Sequence, residues 1–221
     1  MEERELIIYL CIVLPIIPVI FALKDKYSRN FLIYTIIGLT VCLVSAQINT
    51  LLVQAFNIDM LNYSVSISPI IEEILKVIPI IYFVILFAKD DEQILPLAFA
   101  IGIGFGILES IVVYINSEVQ LDVGWAIVRG LGASLMHSAC TAMITIGISY
   151  EFHNKKCHLE GIIGLLSAAI IYHATFNVFV QSKYSIIALL MPLLLFVPIN
   201  YIEYKKKKYF EDIEKEKLQV S

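Results

Sequence analysis

Apolar runs of nearly equal length alternate with short polar joints along almost the whole chain. The runs fall at 6–23, 31–56, 67–88, 94–116, 125–150, 162–181 and 186–202, and the joints read KDKYSRN, NIDMLNYSVS, KDDEQ, SEVQLDVG, EFHNKKCHLEG and SKYS. A helix rises about 1.5 Å per residue and a bilayer core is about 30 Å thick, so each run is close to one crossing, the last being the shortest. Spanning backbone must satisfy its own hydrogen bonds, which makes these runs helices. The pattern predicts an all-α, polytopic membrane helix bundle of about seven transmembrane helices. It forms one domain over 1–204, with its polar motifs between about 67 and 181, followed by a charged tail at 205–221. No repeat, low-complexity run or linker interrupts it.

Composition supports this reading. Of 221 residues, 59% are hydrophobic and only 16% charged, with a mean hydropathy of +0.82, too little polar surface for a soluble domain of this size. The net charge of -4 matters less than where the charges fall. With the N-terminus outside, twelve lysines and arginines lie on the inner side (Lys24, Lys26, Arg29, Lys89, Lys155, Lys156 and six in the tail). Only Arg4 and Lys183 lie outside, so the basic residues favour N-terminus out and C-terminus cytosolic. The leader MEERE is acidic and no small-residue cleavage site follows, so the first run is expected to stay as an uncleaved helix. Cys11, Cys42, Cys140 and Cys157 suggest no disulfide framework and are expected to be free thiols.

The third run, SISPIIEEILKVIPIIYFVILFA, breaks the apolar pattern by carrying Glu72, Glu73 and Lys76 into hydrocarbon. Glu109, Arg129, His137 and His173 do the same in the next three runs. A charge at mid-membrane costs about 2.5–3.5 kcal/mol on insertion scales, so such residues face inward and mark function. Under the N-out topology they all lie roughly 6–18 Å below the outer boundary at about 1.5 Å per residue. Four helices thus deliver polar groups to one layer.

Local spacing adds detail. Glu72 and Lys76 stand four apart in the order that favours an ion pair, while Glu73 points elsewhere. Phe105 precedes Glu109 by one turn, and Asn177 follows His173 by one turn, where its amide can orient the ring or meet an oxyanion. Carboxylates with imidazoles in a partly dry pocket suit hydrolysis: one group takes a proton from water while others hold a metal or the tetrahedral intermediate. Which glutamate is the base is not distinguished by spacing.

EEILK (Glu72, Glu73, Lys76), FGILE (Phe105, Glu109) and HATFN (His173, Asn177), with Arg129 and His137 between, resemble the PrsW family of intramembrane proteases. That family is related to the CAAX prenyl endopeptidases and bacteriocin-immunity membrane proteins. The resemblance covers about half the chain. It implies a bacterial cytoplasmic membrane protein that makes the site-1 cut, near the extracytoplasmic face, in a single-span anti-sigma factor, so activating an alternative sigma factor in a stress response. Carried over by position, it implies catalytic roles for Glu72, Glu73, Glu109, His137, His173 and Asn177, with Lys76, Phe105 and Arg129 in support. Glu109, His137 and His173 make a candidate Zn2+ ligand set, although a glutamate-activated water without metal serves the same chemistry. Membrane lipid and the substrate are the expected partners, and nucleic acid is not.

Each feature also has a purely structural reading. Glu72 with Lys76, and Glu109 with Arg129, can be buried ion pairs; His137, near Ser134 and Thr141, can be an interhelical bond; Arg129 can snorkel. Gly102 and Gly106 form a small-residue face for close helix approach. HNKKCH offers His153, Cys157 and His158 in no strong metal pattern, and the tail lysines suit anionic lipid. Two other function classes stay open: a proton- or ion-coupled carrier, which needs charges through both leaflets, and a non-catalytic scaffold.

Overall fold

A computed structural model of the chain describes residues 3–87, 91–117, 123–154 and 159–220. Helices stand at all seven apolar runs: α1 (Glu3–Ala22), α2 (Lys26–Phe56), a short α3 (Met60–Ser66), α4 (Ser68–Phe87), α5 (Asp91–Asn116), a rod begun by α6 (Val123–Ala126) and continued by α7 (Ser134–Asn154), α8 (Leu159–Val180) and α9 (Ser185–Val220). There is no strand among the described residues. Six of the long helices are apolar enough to cross a bilayer by length and composition. The seventh, α4, has the length, 20 residues, but carries the three charges of EEILK. The chain is a helical membrane bundle.

Local signals explain the ends. The Asp25 carboxylate accepts from the Ser28 amide at 2.7 Å and starts α2; that contact holds its pKa below the ordinary carboxylate value. Asn57, at φ 49°, takes the left-handed conformation that ends α2. Asp59 then caps α3 through the Asn62 amide at 3.1 Å. This short helix lies in a joint that hydropathy alone treats as loop. Likewise α9 passes unbroken from its apolar part into the tail, where lysine and glutamate favour helix.

Helix α5 runs between α2 and α7, and glycines set both contacts. A Cβ on Gly102 would stand 2.3 Å from the Ser138 backbone of α7, and one on Gly106 would stand 2.5 Å from Ser134 Cα. On the opposite face, a Cβ on Gly104 would meet the Thr35 carbonyl of α2 at 2.1 Å, and one on Gly38 the Ile101 carbonyl at 2.1 Å. The backbones therefore touch without side chains between them. Ile80, Leu97, Ile101, Met136, Ile144 and Phe176 belong to the apolar core joining α4, α5, α7 and α8. Tyr34 meets Phe83 edge to face, ring centroids 5.7 Å apart. Cys11, Cys42 and Cys140 are free thiols, the latter two buried; Cys157, His158 and the rest of the HNKKCH side chains lie outside the described residues.

Between α6 and α7, Ile127–Ala133 winds in wide π-type turns. Such turns are uncommon and concentrate at functional sites. Here they carry Arg129, which is buried, and lead within two turns to His137.

Candidate active site

Alternating helices bring the C-terminal ends of α2, α5 and α8 beside the N-terminal ends of α4 and α7. The ionisable side chains of the sequence motifs meet there. Glu73, Lys76, His137 and His173 are each 0% exposed. Glu72, Arg129 and Asn177 are also buried, and Glu109 is nearly so.

Lys76 stands at the centre. Its Nζ donates to Glu73 Oε1 at 2.6 Å and to His137 Nδ1 at 2.9 Å, above the face of Phe105 at 5.0 Å from the ring centroid. The expected Glu72–Lys76 pair is therefore replaced by Glu73–Lys76. Both spacings put acid and amine on neighbouring faces of a helix, and the tertiary partners decide between them. Glu72 is drawn the other way: its Oε1 accepts from Ser68 Oγ and, at 3.4 Å, from Asn49 Nδ2. Asn49 Nδ2 also donates to Ser68 Oγ at 2.8 Å, and Tyr63 OH donates to Asn49 Oδ1 at 2.9 Å.

An ammonium only donates, so His137 Nδ1 is the acceptor and its proton sits on Nε2. That Nε2 faces Glu109 Oε2 at 2.8 Å. The other oxygen of Glu109 accepts from Arg129 Nη2 at 2.6 Å. Arg129 thus pairs with Glu109 and does not snorkel. Phe105 packs its ring on the imidazole of His137, centroids 4.6 Å apart.

His173 Nδ1 donates to Glu73 Oε1 at 2.8 Å, so Glu73 receives both Lys76 and His173. The Nε2 of His173 lies 3.6 Å from Glu72 Oε2, and neither atom has a hydrogen-bond partner although both are buried. Asn177 does not orient His173. Its Nδ2 donates to the Ser64 carbonyl of α3 at 2.9 Å, and Gln181, one turn on, donates to Ser64 Oγ at 3.1 Å.

The donor chemistry fits a metal in part. Glu72, His137 and His173 offer ligand atoms within 4.8 Å of one another, so the carboxylate grouped with the two imidazoles is Glu72, where the resemblance has Glu109. Glu109 is already committed to Arg129 and His137. Glu72 Oε2 and His173 Nε2 are open, and Glu73 behind His173 is the carboxylate that typically orients a ligating imidazole. His137 has both nitrogens engaged. Three carboxylates against Lys76 and Arg129 leave an excess of negative charge when both imidazoles are neutral, which favours a bound cation or proton.

Sequence reasoning missed Asn49, Ser68 and Tyr63, which position Glu72. Asn49 had a signal: with Gln47 and Gln54 it is one of three carboxamide side chains in a mostly apolar run. Ser68 and Tyr63 had none, since hydroxyls are frequent near helix ends.

No curated protein and no solved structure matches the chain. One family model does, over residues 28–202, which takes in every helix that contributes to the site. The chain belongs to the PrsW family of intramembrane metalloproteases.

Proposed function

We propose that this protein is an intramembrane endopeptidase that cuts a single-span membrane protein near the extracytoplasmic face. The observation that carries the reading is the open pair, Glu72 Oε2 and His173 Nε2, 3.6 Å apart in a buried site. A water bridging the two from one side donates one hydrogen to each acceptor. Glu72 takes the proton as the water oxygen attacks the peptide carbon, and the proton then passes to the amine nitrogen as the C–N bond breaks. Glu73 holds His173 in the tautomer that leaves Nε2 as an acceptor. Asn177 Nδ2 is a neutral donor for the oxyanion once a substrate carbonyl replaces that of Ser64. A divalent metal held by Glu72, His137 and His173 would polarise the carbonyl and the attacking water.

The resemblance of the motifs supports an anti-sigma factor as the substrate, this being its first cut on the way to releasing a sigma factor. The basic-residue pattern supports an extracytoplasmic position for the site, and the resemblance of the motifs supports a bacterial cytoplasmic membrane. A carrier is disfavoured by the other half of the bundle. Residues 77–87, 94–108, 138–150 and 161–172 include no Asp, Glu, Lys, Arg or His, so the charged cluster does not continue beyond the site. Co-expression with a single-span substrate tests the proposal. Glu72→Gln, Glu73→Ala and His173→Ala each reduce cleavage at least about 100-fold, as loss of a positioned base or its orienter does, while accumulating in membranes. Full cleavage by these variants would reject the assignment.

A further inference from the structure

We infer that the Lys76 ammonium and a metal ion at the Glu72–His137–His173 group are mutually exclusive, so that Lys76 is the resident cation of the site and restrains metal uptake. The inference extends the proposed function but does not depend on proteolysis for its test. It rests on geometry at His137. Lys76 Nζ lies 2.9 Å from His137 Nδ1, in the place its lone pair addresses. A zinc ion on that nitrogen stands about 2.1 Å away, which puts it within about 1 Å of the ammonium. Both cannot be there. Coordination through Nε2 fares no better: the ring proton must then move to Nδ1, where it meets an ammonium N–H, donor against donor. The same move breaks the Nε2–H donation to Glu109 Oε2.

The ammonium is well housed where it stands. Glu73 Oε1 accepts at 2.6 Å, the Phe105 face lies beneath it, and Lys76 is 0% exposed. With Lys76 seated, His137 has no lone pair to give, and only Glu72 Oε2 and His173 Nε2 are open to a metal. Two donors bind zinc far more weakly than three.

Zinc binding to purified protein in detergent, measured by metal content against a zinc buffer, gives the test. Lys76→Met removes the charge at nearly constant length. It is expected to tighten zinc binding at least tenfold, and Lys76→Gln, which keeps a neutral donor, to tighten it less. His137→Gln then removes the gain in the Lys76→Met background but shifts wild-type binding less than threefold. That coupling between two sites is what a merely structural lysine does not produce. Unchanged or weaker zinc binding in both lysine variants overturns the inference. So does a tenfold loss on His137→Gln with Lys76 present, because it means the imidazole ligates beside the ammonium. Full cleavage by Glu72→Gln, Glu73→Ala and His173→Ala with the zinc pattern as expected counts against the protease reading alone.

Discussion

Glu109 joins two groups from the α6–α7 rod, taking Arg129 on one oxygen and His137 on the other. Removing one partner of such a pair leaves an uncompensated charge away from water, which costs about 3–5 kcal/mol when the pair is fully buried. Glu109 keeps 16% exposure, so the lower end applies. Glu109→Ala is expected to destabilise the protein by about 3 kcal/mol, and adding Arg129→Ala to recover much of the loss. Thermal unfolding in detergent of the two single variants and the double checks this, and strict additivity refutes the coupling. The presence of these residues in one site was legible, because a charge in an apolar run announces itself. Their pairing was not. EEILK offers Lys76 two acids at helical spacings, and the choice of Glu73 depends on Ser68 and Asn49 claiming Glu72, a fact of tertiary structure.

At the scale of the helix, glycine decides how close the site residues come. Gly102 abuts Ser138 and the His137 carbonyl carbon, so a methyl there pushes α7 away and carries His137 with it. Overpacking of this kind costs typically 1–3 kcal/mol. Gly102→Ala is expected to lose about 2 kcal/mol of stability and most cleavage activity. Gly164→Ala, with nothing within 4 Å of its Cβ, is expected to be neutral or to stabilise by roughly 0.5 kcal/mol. Equal effects from the two would refute the contact as the cause. The GxxxG spacing of Gly102 and Gly106 pointed to this face from sequence, whereas Gly38 and Gly104 lack that spacing within their own helices and meet only across α2 and α5. The π-type turns at Ile127–Ala133 were equally silent, since hydropathy is blind to one extra residue in a turn.

For the whole molecule, hydropathy located every long helix because lipid demands length and apolarity together, while α3 and the helical tail escaped because neither crosses. Side of the membrane is a separate matter. The site gathers at the bundle end that holds the α8–α9 turn, opposite the α7–α8 joint with its Lys155 and Lys156. On the proposed reading, those two lysines and the basic tail favour the cytosol for that opposite end. Native Cys157 lies in the α7–α8 joint, and Cys42 and Cys140 are buried and shielded from reagent. In a Cys11→Ser background, a membrane-impermeant maleimide should leave Cys157 untouched in intact cells and label it only after permeabilisation. With Lys183→Cys added, in the turn at the site end, intact cells should gain a labelled thiol. The inverse pattern would put the carboxylates and imidazoles at the cytosolic face, out of reach of an extracytoplasmic segment. The proposed first cut would then have to be abandoned even if the hydrolytic site itself were active.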